Sequence, residues 1–270
     1  MELRVAIGQM DIVLGDAAAN LRTVQTLATE AAGKADLLLL PELWGSGYML
    51  ERAGELADEL NTGLFAAVAA LARHHKLAIC GSLLEWDAET QRAYNTATIY
   101  DADGSLRGVY RKVHLIGLMD EDQYLGPGEA APLLDLPWGP GSLAICYDLR
   151  FPELFRRYAL AGAGLMLLPS EWPVPRIEHW RVLLKARAIE NQCFVIACNR
   201  VGADRANVFG GRSAVIDPRG NVLVEGGDTA ELLFATVDLS LIDEVRNFLP
   251  VLRDRRPEVY LLDELSSRPA

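Results

Sequence analysis

GSLAICYDLRFPELF, residues 141–155, decides how this chain folds and where its chemistry sits. Leu143-Ala144-Ile145 is an apolar, strand-compatible run that breaks at Cys146 into the polar turn Tyr147-Asp148-Leu149-Arg150. Phe151-Pro152-Glu153 then opens a helix, with proline in the first turn, where its missing N–H removes no hydrogen bond. A cysteine at such an elbow stands near unpaired backbone N–H groups, whose partial positive charge favours thiolate over thiol. Equally, a cysteine that ends an apolar strand serves as a small core residue. The choice depends on whether distant parts of the chain supply a base and an oxyanion donor.

The segments around the elbow alternate strand and helix. A helix is predicted from Pro152 to about Ala161, a strand over 164–168, a helix from about Pro175 to Asn191 and a buried strand in CFVIACNRVG, 193–202. Towards the amino terminus, LRVAIGQM (3–10) alternates as a strand. A helix from Asp16 to about Ala32 places Leu21, Val24, Leu27 and Ala28 on one face and closes at Gly33. DLLLLPE (36–42) is continuously apolar, the mark of a strand covered on both faces. Residues 51–75 read as helix in one or two pieces, interrupted near Asn61-Thr62-Gly63, with Thr62 as a cap. Strands follow at 76–86, 93–101 and 105–112, with DADG (101–104) as a turn, and again at 210–226 and 231–239. No linker or composition shift divides the chain, so it reads as one domain. The hairpins argue for mixed sheets within an α/β fold. Past about Asn247 the polar, Arg-rich tail reads as an arm packed on another surface.

The 270 residues are half hydrophobic, 23% charged and carry a net charge of −11, which suits a sizeable core and argues against a nucleic-acid or anionic-membrane partner. No apolar run reaches membrane-spanning length and no secretory signal is visible at MELRVAIGQMD. Cys80, Cys146, Cys193 and Cys198 lack the spacing of a disulfide scaffold, so a cytoplasmic protein with reduced thiols is expected. There is no phosphate loop, no G-x-G-x-x-G after a strand and no G-x-S-x-G. His74, His75, His114 and His179 lack metal-ligand spacing and read as structural or surface residues.

A carboxylate and an amine stand at other strand ends. Glu42 closes LLLLPE, where a half-buried carboxylate has a raised pKa and is able to take a thiol proton. Lys112 follows the strand GVY and places a cation where an oxyanion develops. Taken singly, Glu42 is equally a cap or surface acid and Lys112 a solvated strand end.

Together, PELWGSGY (41–48), YRKVHL (110–115) and CYDLRFPEL (146–154) resemble the three signature blocks of the nitrilase superfamily of carbon–nitrogen hydrolases. The resemblance runs from the first strand to about residue 240. It implies a four-layer α-β-β-α sandwich of two mixed sheets flanked by helices, over a hydrolase domain of residues 1–246 with 247–270 as its C-terminal arm. It also implies no cofactor or metal, and a homodimer or higher homo-oligomer formed through helices near the cysteine. Carried over residue by residue, it makes Glu42 the general base, Lys112 the catalytic lysine and Cys146 the nucleophile. The second family glutamate falls on Glu121, with Glu129 close by. Tyr147 would donate its backbone N–H to the oxyanion.

CYDLRFPE followed by Trp172-Pro173-Val174-Pro175-Arg176 is most similar to the ω-amidase branch, which hydrolyses dicarboxylic acid monoamides such as 2-oxoglutaramate and succinamate. The distal carboxylate of such a substrate needs a cation, for which Arg150 and Arg176 are the candidates. Arg150 could instead pair with Glu153 or Asp148, and Trp172 either walls the pocket or fills core. A nitrilase, a deaminated-glutathione amidase or an N-carbamoyl amidase would use the same triad. Outside that class stand a Cys–His hydrolase pairing Cys146 with His114 or His179, and an inactive binding protein on the same fold.

Overall fold

A computed structural model describes residues 1–260. The first sheet is built from β1 (Glu2–Gln9), β2 (Leu37–Leu39), β3 (Ala78–Asp87), β4 (Arg92–Tyr100) and β5 (Leu106–Arg111). The second takes β6 (Leu134–Leu136), β7 (Gly139–Leu143), β8 (Leu165–Ser170) and β9 (Phe194–Asn199). A two-stranded ribbon, β10 (Val201–Ala203) and β11 (Val208–Gly210), interrupts it before β12 (Ala214–Ile216) and β13 (Val222–Glu225) complete it. β14 (Glu231–Asp238) then returns to pair antiparallel with β1.

The six-stranded sheets run in the orders β14-β1-β2-β3-β4-β5 and β6-β7-β8-β9-β12-β13. Both are mixed and share one pairing pattern, in which two parallel pairs are flanked by antiparallel ones. The C-terminal ends of β2 and β5 therefore point the same way, as do those of β7 and β8. Ligands of α/β folds gather at such strand ends.

The helices are α1 (Ala17–Ala31), α2 (Ala53–Leu56), α3 (Gly63–His75), α4 (Glu121–Tyr124), α5 (Pro152–Leu160), α6 (Ile177–Asn191) and α7 (Ser240–Phe248). On the outer face of the first sheet, Val24 and Ala28 of α1 and Phe65, Val68 and Ala72 of α3 pack with Leu38, Leu40 and Ile79. Phe155, Tyr158, Trp180, Leu184 and Ala188 of α5 and α6 pack on the second sheet. Leu37 and Leu39 join the cluster that fills the space between the sheets. Alternate leucines of DLLLLPE thus enter different layers, which is why the strand is apolar throughout. Each such side chain contributes about 1.5–3 kcal/mol on burial. The four-layer sandwich is the expected one.

Local details differ from the sequence reading in two places. Asp16 caps α1, accepting from Ala19 N–H at 2.9 Å, but Thr62 does not cap α3. Its hydroxyl donates backwards to the Glu59 carbonyl, and the first-turn N–H of Leu64 goes to the Asp58 carboxylate at 2.8 Å. At the other end, α7 runs past residue 247 to Phe248, and a short turn follows at Pro257–Val259. The last ten residues of the expected arm, 261–270, lie outside the described residues.

Candidate active site

Glu42, Lys112 and Glu121 are all fully buried. The Lys112 ammonium donates to Glu42 Oε1 at 2.8 Å and to Glu121 Oε1 at 2.7 Å. Asn95 Nδ2 donates to the same two oxygens at 2.8 and 3.4 Å. The Tyr48 hydroxyl lies 3.1 and 3.0 Å from them. The remaining oxygens take backbone donors. Glu42 Oε2 accepts from Glu171 N–H and Glu121 Oε2 from Ile116 N–H, each at 2.8 Å.

Burial pulls the Lys112 ammonium down, but the charges of Glu121 and Glu42 more than offset it, so its pKa rises. Burial pushes Glu121 up, with Lys112 opposing and Glu42 adding to the rise. A cation held between two carboxylates is a stable arrangement only while all three are present. Glu42 is therefore not the half-buried acid expected from LLLLPE, because the loop after β2 folds inward and the second sheet closes over it.

Cys146 stands in the left-handed region at φ +44°, a conformation that costs a non-glycine residue about 1–2 kcal/mol. Strain of this kind gathers at functional elbows. The elbow continues as one 3-10 turn, Cys146–Arg150, before α5 begins at Pro152. The helix starts at Pro152 as expected, but the intervening turn separates it from the sulfur, and the thiol is not shifted towards thiolate. Burial pushes the Cys146 thiol well up, the Glu42 charge adds to this, and Lys112 opposes. The sulfur needs a base.

Asp148 fixes the elbow to the strand that carries the lysine. It is fully buried and accepts from Ile145 N–H at 2.8 Å, the Tyr110 hydroxyl at 2.7 Å and His114 N–H at 3.1 Å. His114 Nδ1 lies 2.7 Å from Asp148 Oδ1, and its ring stacks on Phe151. With Tyr110 and His114 flanking Lys112 in sequence, one carboxylate holds two of the three chemical arms together. His179 Nδ1 lies 3.4 Å from Arg150 Nη2. Both histidines named for a Cys–His hydrolase thus have other neighbours.

Cys146 opens into a narrow hollow lined by Ile116, Met119, Tyr147, Arg150, Glu171, Trp172, Pro173 and Arg176. All four residues expected to contact substrate are in it. Arg150 does not pair with Glu153 or Asp148; its guanidinium lies over the Trp172 ring, 4.7 Å from the centroid. Trp172 is both wall and core, since it is buried, lies beside Trp180 and donates its indole N–H to the Arg176 carbonyl. Glu129 is elsewhere, lining an outer hollow with Tyr94 and Arg111.

Sequence reasoning missed Tyr48, Asn95, Asp148 and Glu171 as members of the site. The signal for Asn95 was a lone amide within the strand AYNTATIYD; for Glu171 it was an acid directly after an apolar strand, and for Asp148 an acid in the turn that follows one. Tyr48 carried none, because its hydroxyl reaches the site only through the fold of WGSGY.

An acid–lysine–acid cluster beside an elbow cysteine, at the strand ends of an α-β-β-α sandwich, defines a class. The carbon–nitrogen hydrolase family matches residues 4–247, and the chain belongs to that family, whose chemistry is hydrolysis at a carbon–nitrogen bond. It is 40% identical to the 2-oxoglutaramate amidase of Bacillus subtilis, over 96% of this chain and 100% of that protein. It is 37% identical to the deaminated glutathione amidase of Mus musculus, over 89% of this chain and 80% of that one. Among solved structures, Saccharomyces cerevisiae Nit3, a member of branch 10 of the nitrilase superfamily, superposes with a TM-score of 0.86 at 31% identity, covering 94% of this chain and 97% of that one. The substrate is accordingly a small-molecule amide. No helix among the described residues is long and apolar enough to cross a membrane.

Proposed function

We propose that this protein is an ω-amidase that hydrolyses the terminal amide of a short dicarboxylic acid monoamide, such as 2-oxoglutaramate or succinamate, to the acid and ammonia. The observation that carries the reaction is the buried Glu42–Lys112–Glu121 cluster beside Cys146. A free thiol near pKa 8.5 is only ~3% ionised at pH 7, and here burial suppresses ionisation further. Glu42 is the base. Its Oε1 is occupied by three donors, so Oε2 receives the thiol proton.

The thiolate attacks the amide carbonyl, and the oxyanion is held by two donors. One is the third ammonium hydrogen of Lys112, which has only a long 3.5 Å contact with the Tyr48 hydroxyl, the other two being engaged by Glu42 and Glu121. The second is the N–H of Tyr147, which has no intrahelical acceptor at the start of its short turn. Glu42 then gives its proton to the leaving nitrogen; the C–N bond breaks, ammonia departs and a thioester remains. Water enters, loses a proton to Glu42 and attacks the thioester, and the acid leaves as the proton returns to sulfur. Glu121 holds the lysine in place.

Arg150 and Arg176 support the ω-carboxylate. Both line the hollow, and neither forms an ion pair with a carboxylate among the described residues. Trp172 walls the same hollow, so the thiol and both cations share one small lining. Arg150→Gln and Arg176→Gln should each raise KM for succinamate about 10–100-fold, the worth of a charged hydrogen bond. Butyramide, which lacks the carboxylate, should be unaffected. A wild-type enzyme with no preference for succinamate over butyramide would sink the ω-amidase reading.

The same proposal takes residues 1–246 as one catalytic domain with 247–270 as its arm, working in the cytoplasm, where its four free cysteines stay reduced. It also takes the protein as a homodimer joined through α5 and α6. Leu160, Val182 and Ile189 on those helices are 47%, 64% and 52% exposed, an apolar surface suited to a second copy. Sedimentation at micromolar concentration tests this, and a monomer there would exclude it.

A further inference from the structure

Glu171 is the one carboxylate among the residues that line the hollow with Cys146, and the reaction above gives its side chain no task. It follows β8 and is fully buried. Arg200 Nη1 donates to its Oε2 at 2.8 Å. Arg200 is itself fixed by Asp11 Oδ1 at 3.1 Å, the Ile12 carbonyl at 3.0 Å and the Val201 carbonyl at 3.2 Å. The other carboxyl oxygen, Oε1, is buried with no hydrogen-bond partner. Buried acceptors are rarely left unmatched in a folded protein, and at an enzyme site the missing donor can belong to the substrate.

A primary amide brings two N–H donors on the nitrogen that must leave. Donors already converge on Glu42 Oε1, from Lys112, Asn95 and Tyr48, and on Glu121 Oε1, from the same three groups. Glu121 Oε2 has Ile116 N–H, and Glu42 Oε2 has Glu171 N–H together with the thiol proton to come. Asn95 Oδ1 is also unpartnered, but Asn95 does not line the hollow.

We propose that Glu171 Oε1 accepts an N–H of the scissile amide and so selects primary amides over acyl compounds whose leaving group carries no N–H. This rests on the amide-hydrolysis reading and deepens it, since it concerns the nitrogen end of the substrate and not its distal carboxylate. Glu171 is thus a binding residue for the leaving nitrogen.

Acceptance requires the ionised form. Burial pushes the Glu171 carboxyl up to about 8, with Arg200 opposing and Glu42 reinforcing the rise. The charged and titratable groups around it are Arg200 just after β9, Glu42 and Tyr48 from the segment after β2, Cys146, Tyr147 and Arg150 at the elbow, Arg176 before α6, and Asp204 between β10 and β11. An ester meets all of these except the need for an N–H acceptor. The ratio of kcat/KM for an amide to that for its matched ester therefore isolates Glu171 from the titration of the thiol and its base.

The test compares succinamate with monomethyl succinate in the wild-type enzyme and in Glu171→Gln. Arg200 demands an acceptor, so it holds the glutamine carbonyl and turns the glutamine NH2 towards the substrate nitrogen, donor against donor. Amide kcat/KM should fall about 10–100-fold and ester kcat/KM change by less than about threefold, as for a site built around one polar group of its substrate. In the wild type the amide-to-ester ratio should rise from pH 6 to pH 8, and in Glu171→Gln it should be flat. A parallel fall on both substrates, or an undiminished amide rate, overturns the proposal. Should the variant not fold, the wild-type profile decides alone, and a pH-independent ratio is then the overturning result. If the enzyme prefers butyramide to succinamate, the ω-amidase reading fails by itself and the comparison is made with butyramide and methyl butyrate.

Discussion

Replacing Lys112 with leucine removes the cation shared by two buried carboxylates, Glu42 and Glu121, and the outcome follows from that geometry. Glu42 Oε1 and Glu121 Oε1 each lie within 2.8 Å of the ammonium nitrogen, so in Lys112→Leu they face each other with only Asn95 and Tyr48 as shared donors. Breaking a buried pair by removing one partner costs about 3–5 kcal/mol. For a chain of this size that lowers Tm by roughly 6–15 °C.

The deficit must depend on pH in a definite direction. Glu121 already has a folded-state pKa above its ordinary value because of burial, and loss of Lys112 removes the main charge opposing that rise. A carboxyl raised on folding favours the native state below its unfolded pKa and loses that contribution as pH climbs through the folded one. The variant should therefore be most destabilised at neutral and alkaline pH and recover towards pH 5. Urea denaturation at pH 5, 6, 7 and 8 measures this directly. Adding Glu121→Gln should return part of the stability at pH 7 while leaving turnover down by the 10²–10³-fold typical of a lost oxyanion donor. A deficit that grows on acidification, or a double variant less stable than the single one, would refute the reasoning.

Two further outcomes are expected. Cys146→Ala should relieve the strained backbone only slightly, keep Tm within a few degrees, and abolish both ammonia release and the acyl-enzyme adduct seen by intact-mass spectrometry after mixing with succinamate; any adduct surviving in that variant places the nucleophile elsewhere. Asp148→Asn keeps the shape of the elbow's anchor but weakens its bonds to Ile145, Tyr110 and His114. It should cost about 1.5–3 kcal/mol, the worth of hydrogen bonding to a charged group, and lower kcat more than it raises KM, because the sulfur and the ammonium lose their common tether. An unchanged kcat would show that the elbow holds its position without it.

The strands, the main helices and the three chemical arms were legible because each is a local signal. Continuous apolarity in DLLLLPE, the break from Ile145 to Cys146 and proline at the start of α5 each reflect forces acting over a few residues. Glu42, Lys112 and Cys146 each interrupt such a pattern at a strand end, but it was the resemblance of their three blocks to the nitrilase superfamily that singled them out together. The hairpins by themselves argued only for mixed sheets, and the four-layer order came from the resemblance to the nitrilase superfamily.

What the sequence could not decide is everything that depends on which strand ends meet. Glu42 and Glu171 are 129 residues apart along the chain yet share a hydrogen bond, and only the stacking of two sheets makes one the neighbour of the other. Thr62 reads as the cap from its position alone, until the backbone turn between α2 and α3 brings Asp58 to the Leu64 N–H instead. The state of the Cys146 thiol reversed for the same reason. A helix start read along the chain predicts a lowered pKa, but in three dimensions desolvation and a facing carboxylate outweigh a partial charge one turn away. Local patterning selected the reactive residues, and long-range burial set their protonation and their partners, because solvent exclusion is a property of the assembled layers and not of any single stretch.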